Sequence, residues 1–357
     1  MAKVTKTKSP DNLQETRQAL LPPKFAIFPW LEITWQQILV AQREKRLHHA
    51  YLITGLSGLG KLDFAYHIAH SLLCINPDVI TGYPCGQCKS CHIFEVGNHP
   101  NLQFVGPEMG SKNGEIKAET IRTLIEFDTL AAQFRGYKVI IIAPADSMNR
   151  HAANSLLKIL EEPTPATIML LVTAHPGRLL PTIRSRCQQL PINVPREQDA
   201  LSWLVTQTTT QRNLSLALRL ANGAPLASLA YNNENLLQQR RAALEAFFKF
   251  GNDKQNPIFI AERWVQQDPC QILTWLSSWL ADLLRLKSTA APVFLDNPDI
   301  TQFLYDQSAK YDSVTIHLFW SKVIESRKQL STNVNPQLLI ESLLITWNQM
   351  QHGNAGY

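Results

Sequence analysis

Four cysteines at Cys74, Cys85, Cys88 and Cys91 make a C-x10-C-x2-C-x2-C spacing. Thiolates are soft ligands, and two-residue turns bring neighbouring sulfurs to one side of a metal. Gly82, Pro84, Gly86 and Lys89 supply the turns that such a knuckle needs. Four thiolates leave no open position for water, so the ion they point to is structural, and Zn²⁺ is favoured. Two rivals stay open. An iron–sulfur cluster also accepts four thiolates, and His70, His92 or His99 could replace a sulfur. Cys270, alone in a helical context, reads as a core residue.

A second chemistry is suggested by Gly55-Leu56-Ser57-Gly58-Leu59-Gly60-Lys61-Leu62, directly after an apolar run. Glycines let a backbone fold around phosphates so that amide N–H groups and a helix N-terminus face them. Gly55, Gly58, Gly60 and Lys61 are therefore candidate phosphate ligands. The position after the lysine should carry a hydroxyl for Mg²⁺, and Leu62 has none. An acidic pair should also end a neighbouring strand. The candidate strand instead runs into Ala143-Pro144-Ala145-Asp146, with its one carboxylate three residues late. Two losses in independent segments predict that this chain does not hydrolyse ATP. Whether the loop still binds nucleotide weakly or only joins a strand to a helix stays open.

A third feature is Leu179-Leu180-Pro181-Thr182-Ile183-Arg184-Ser185-Arg186-Cys187. A guanidinium here could reach a neighbouring subunit and stabilise charge in phosphoryl transfer. From spacing alone, two surface arginines in ordinary ion pairs is the simpler reading.

These residues need a scaffold. At 357 residues the chain is too long for one core. With 45% hydrophobic and 18% charged residues it reads as ordered and globular. Short apolar runs at 50–54, 102–105, 139–142, 168–173 and, more weakly, 190–192 alternate with helical patterns, which predicts a parallel sheet covered on both faces. Residues 149–162 read as a helix with Ala153, Leu156, Leu157 and Leu160 on one face, stopped by Pro163.

After Pro195 the strand signal ends. Residues 196–235 read as a small helical unit, and 236–357 as a helical bundle with Trp264, Trp275, Trp279, Phe319, Trp320 and Trp347 in its core. The expected organisation is a tail over 1–24, an α/β domain over 25–195 with its zinc module at 74–91, and the two helical units. The net charge of +5 is partly placed on the tail by Lys3, Lys6, Lys8, Arg17 and Lys24. Such a tail can brush nucleic acid, but a solvated, disordered segment is the plainer reading. No run approaches a membrane span or a secretion signal, and the clustered cysteines suit a reducing cytoplasm.

The order of these segments resembles the clamp-loader branch of the AAA+ ATPases. The resemblance rests on the cysteines between phosphate loop and next strand, Asn154-Ser155-Leu156-Leu157-Lys158-Ile159-Leu160-Glu161-Glu162-Pro163, and Ser185-Arg186-Cys187. Phe28-Pro29-Trp30-Leu31 and Asn333-Val334-Asn335-Pro336-Gln337-Leu338-Leu339-Ile340-Glu341 add to it, so it runs from about residue 25 to the end.

The resemblance implies an AAA+ domain, a helical lid and a C-terminal collar domain. It implies an arginine finger at Arg186, a sensor-like Thr173, zinc on the four cysteines, and ATP binding that is weak or absent. Where motor subunits carry an arginine in the helical unit, this chain has Leu226. The implied role is a non-hydrolysing subunit of the replicative clamp loader within a DNA polymerase holoenzyme. Its implied partners are tau/gamma-like motor subunits, a delta-like clamp-opening subunit, the sliding clamp and, through the complex, primed DNA. Two other classes compete: an active motor ATPase, and a zinc-containing single-strand DNA-binding protein that would use Lys89, Tyr83 and Phe94.

Overall fold

The computed structural model describes residues 27–107, 114–130, 132–134, 136–208, 213–250, 256–289, 292, 294–330 and 334–351. The tail expected over 1–24 and Asn333 of the late motif lie outside them. The chain divides into two compact bodies, one through Pro195 and one from Arg196.

In the first body, strands β1 (Ala50–Thr54), β2 (Leu102–Val105), β3 (Lys138–Ile142), β4 (Thr167–Thr173) and β5 (Gln188–Pro191) form one sheet in the order β2-β3-β4-β1-β5. Every pairing is parallel. Parallel neighbours need crossovers, and helices supply them. Ahead of β1 lies α1 (Glu32–Arg43); the helices between strands are α2 (Lys61–Leu73), α3 (Lys89–Glu95), α4 (Ala118–Thr129), α5 (Arg150–Glu161) and the single turn α6 (Pro181–Arg184).

All residues of β3 and β4 are buried, which is why these strands read as unbroken apolar runs rather than alternating ones. Leu52, Ile140, Ile142, Met169 and Leu171 pack in one cluster with Ile121 and Leu124 of α4 and Leu156 and Leu160 of α5. The other face of the sheet is covered by α2.

Helix α5 starts where Asn149 caps it, its side chain accepting from the Ala152 N–H at 2.9 Å. Its buried face is Ala152, Ala153, Leu156, Ile159 and Leu160, with Leu157 only half-buried at the margin of the expected stripe.

Among its described residues the second body has helices and no strand: α7 (Glu197–Gln207), α8 (Leu214–Leu220), α9 (Pro225–Tyr231), α10 (Glu234–Phe250), α11 (Pro257–Gln266), α12 (Pro269–Ser288), α13 (Thr301–Ser308), α14 (Ser313–Gln329) and α15 (Pro336–Gln351). Ala200, Leu204, Leu214 and Leu218 form a small core. A larger one holds Trp264, Trp275, Trp279, Phe319 and Trp347. Trp320 sits at its margin, half-buried, with its indole N–H donated to the Ser277 carbonyl at 3.1 Å.

Cys270 corrects the sequence reading. It is exposed in the first turn of α12, ahead of the first buried residue of that helix, Ile272. Among the described residues, no helix is long and apolar enough to cross a membrane.

Candidate functional site

The sheet register sets the first site. Thr54 at the end of β1 lies opposite Thr173 at the end of β4, and β3 flanks β4 on its other side. The segments that leave these carboxyl ends meet where open parallel sheets hold ligands.

The phosphate loop leaves Thr54 and enters α2 through Gly60, the left-handed N-cap residue at φ 76°. At the loop's other end Gly55 is pressed against the chain after β5, where a Cβ would stand 2.5 Å from the Ile192 carbonyl oxygen. The fold itself therefore demands this glycine, with or without phosphate. Lys61 turns back into the loop, is 8% exposed, and donates from Nζ to the Leu56 carbonyl at 2.7 Å. Burial lowers its pKa, and the nearby Asp146 carboxylate works in the opposite direction. Leu62 follows, exposed, with no oxygen to offer a metal.

Asp146 is held by Thr173, whose hydroxyl donates to Oδ1 at 2.5 Å, while the His175 N–H donates to the same hydroxyl at 2.9 Å. The late carboxylate and the sensor-like threonine thus meet each other. Trp30 joins this site unannounced by the sequence, its indole N–H reaching the Leu59 carbonyl at 3.0 Å. Leu226 lies in the second body at the start of α9.

The second site is built around the end of α2. Cys74 caps that helix, Cys85 lies in the following turns, and Cys88 and Cys91 open α3. Sulfur–sulfur distances are 3.5 Å for Cys74–Cys91, 3.6 Å for Cys74–Cys85, 3.9 Å for Cys85–Cys91 and 4.0 Å for Cys74–Cys88. A tetrahedral ion with metal–sulfur bonds of about 2.3 Å sets sulfurs about 3.8 Å apart. The four sulfurs could therefore hold one metal ion, and they are compatible with structural zinc.

None of the three histidines joins them. His92 is exposed, and His70 stacks on Phe94 at 4.1 Å between ring centroids. His99 pairs through Nε2 with Ser90 Oγ at 2.9 Å, and its Nδ1 accepts from the Asn101 N–H at 3.1 Å.

Burial pushes the Cys74 and Cys91 thiols up. Burial also opposes ionisation of Cys88, but the N–H groups of Cys91 and Ile75 outweigh it and bring this thiol down to about 6. The Gln87 N–H lowers Cys85. The Cys85 and Cys88 thiols are thus shifted toward ionisation, and a divalent ion held here would supply the charge that favours it in the buried pair.

The module is anchored to the rest of the body. Trp35 donates from its indole to the Thr81 carbonyl at 2.8 Å, and a Cβ on Gly82 would meet Leu39 Cδ1 at 2.4 Å. The aromatic set of the single-strand reading is mostly committed inside: Phe94 is buried and the Tyr83 hydroxyl faces Glu32 at 3.3 Å.

The third site is Arg186. Arg184 is exposed, whereas the Arg186 side chain is 37% exposed and pairs with Glu161 Oε1 at 2.8 Å. Its Nη1 also donates to the Thr182 carbonyl at 3.1 Å. Sequence reasoning missed Glu161. The available signal was a carboxylate in the last turn of a helix, where the macrodipole disfavours it.

Family models for "DNA polymerase III, delta subunit" match residues 31–196 and, for its C-terminal part, residues 234–349. DNA polymerase III subunit delta' of Pseudomonas aeruginosa is 33% identical over 90% of this chain and 97% of that protein. The chain belongs to the DNA polymerase III delta' family. The delta' subunits of Escherichia coli (32% identity, 89% of this chain, 94% of theirs) and Bacillus subtilis (32%, 84% and 91%) are similar to it over nearly the same span. Membership accounts for the fold class expected from sequence, an AAA+ parallel-sheet domain followed by helical units.

Proposed function

We propose that this chain is the non-hydrolysing delta' subunit of a bacterial replicative clamp loader, working in the cytoplasm. Its tau/gamma-like neighbours hydrolyse ATP, and a delta-like subunit opens the sliding clamp. The loader then places the clamp on primed DNA. The observation that carries the reading is Lys61, whose amine is buried in its own loop on Leu56, beside Leu62 where a magnesium ligand is needed. A loop closed on its own lysine suits weak ATP binding or none. With no turnover of its own, the chain contributes Arg186 as an arginine finger to ATP on the adjacent motor subunit.

The four cysteines hold structural zinc, which stiffens the first body but takes no part in turnover. Residues 196–235 act as the lid unit, and residues 236–357 form the collar that joins the assembly.

The test is steady-state ATP turnover in a reconstituted loader with clamp and primed DNA. The chain alone should be inactive, and Arg186→Ala should lower turnover about tenfold or more, given what such arginines contribute. Turnover by the isolated chain would overturn the non-hydrolysing assignment.

A further inference from the structure

We infer that Glu161 is the positioning residue for Arg186: its carboxylate sets the plane and direction of the guanidinium that enters the neighbouring ATP site. The inference rests on the finger reading proposed above.

The backbone beside Arg186 is already fixed. Its N–H donates to the Ile183 carbonyl at 3.1 Å, and both Ile183 and Cys187 belong to the buried core of the first body. A long arginine on a fixed backbone still has many rotamers, and a group that must meet a phosphate in another chain gains by losing them beforehand. Two contacts narrow that freedom here. Glu161 Oε1 takes Nη2 at 2.8 Å, and the Thr182 carbonyl takes Nη1 at 3.1 Å. Because the guanidinium is planar, contacts at its two terminal nitrogens orient the whole fork. These contacts spend two of its five N–H donors, which leaves three for an acceptor brought by another subunit.

Helix stability gives no reason for Glu161 to stand where it does. It is the last residue of α5, at the negative end of the helix dipole, with Glu162 next to it. The ion pair it makes is too exposed to stabilise the fold appreciably, with side chains 37% and 50% exposed. The same exposure separates positioning from inhibition. A pair this open to water does not hold the arginine's charge back from a phosphate, but it does bias which way the side chain points.

The test uses the reconstituted loader with clamp and primed DNA, with rates expressed per intact complex after size-exclusion chromatography. Glu161→Ala should lower kcat for ATP about three- to tenfold and leave KM within about twofold, because ground-state binding does not need the finger in place. Glu161→Gln, which keeps an acceptor at the same reach, should recover at least about half of the lost rate. The double variant with Arg186→Ala should be no slower than Arg186→Ala alone, since Glu161 acts only through the arginine.

An unchanged kcat for Glu161→Ala, alongside a slow Arg186→Ala, would sink the positioning role and leave the finger standing. A faster Glu161→Ala would make the contact a restraint instead and likewise overturn the inference, as would a double variant slower than Arg186→Ala. If Arg186→Ala itself changes nothing, the finger reading falls first.

Discussion

The hydroxyl of Thr173 donates to Asp146 Oδ1 at 2.5 Å, tying the end of β4 to the turn that follows β3. The pair lies at the carboxyl ends of β3 and β4, with the Asp146 carboxylate near the Lys61 amine. Here it acts as a brace between two strand ends. Thr173 is 1% exposed and Asp146 half-buried, so removing the hydroxyl leaves a partly sheltered carboxylate oxygen with one donor fewer. Thr173→Val should cost about 1–2 kcal/mol in urea unfolding. It should leave loader turnover unchanged, and a large loss of turnover at full stability would give Thr173 a role in the ATP cycle.

Lys61 makes a related case. Its amine is desolvated and donates to the Leu56 carbonyl. Lys61→Met keeps most of the volume, loses one hydrogen bond and relieves a buried charge, terms that nearly cancel to within about 1 kcal/mol. Turnover of the assembled loader should stay within about twofold of wild type. Collapse of turnover with an intact complex would mean that nucleotide in this loop matters.

The strands and the cysteine cluster were legible because their signals are local. Fully buried parallel strands must be apolar along their length, and x2 spacings must cluster sulfurs, so Ile140, Leu170, Cys85 and Cys88 announce themselves. Leu62 was equally plain, since one side chain lacks one oxygen. The contacts that explain the sites were not legible, because they join residues brought together only by the sheet order. Thr173 and Asp146 are 27 positions apart and meet because β4 lies beside β3. Glu161 reaches Arg186 only across the end of α5. Cys270 misled for the opposite reason: its helix was correctly expected, but its place in the first turn put it ahead of the core.

His67 predicts a pH dependence. It is 8% exposed between Trp35 and Tyr83, its Nε2 has no hydrogen-bond partner, and burial brings it from 6.5 down to about 4. The folded chain therefore keeps this ring neutral while the unfolded chain protonates it below 6.5. The stability it preserves is complete above pH 6.5 and is lost as pH falls from there to about 4, by up to about 3 kcal/mol. Urea midpoints measured across that window should fall less steeply for His67→Leu than for wild type. Parallel curves would show that the ring is hydrated.

The cysteine site predicts one zinc per chain by plasma mass spectrometry, and loss of that stoichiometry in Cys88→Ser. Metal binding to a site absent from the unfolded chain is folding energy. Stripping the ion with a chelator should lower the first body's stability by about 3 kcal/mol or more, a fall of roughly 10 °C in Tm. ATP turnover of loader that stays assembled should not change, because no thiolate is open to substrate. Iron in place of zinc would keep the geometry and change the metal assignment.

In the second body Asp282 is fully buried and organises the turn before α13. Its carboxylate accepts from the Asn297 N–H and side-chain amide, both at 2.8 Å, from the Asp296 N–H at 3.0 Å and from Arg285 at 2.6 Å. Arg240 reaches the same turn through Asn297 at 2.6 Å and Asp299 at 2.7 Å. A charge this well supplied with donors costs little where it is, but its removal strands the donors and leaves Arg285 with one anion fewer. Asp282→Ala should therefore destabilise the second body by about 3–5 kcal/mol. Because that body carries the proposed collar, the variant should also fail to enter the loader in size-exclusion reconstitution at 37 °C. A destabilised chain that still assembles in full would move the joining role away from residues 236–357.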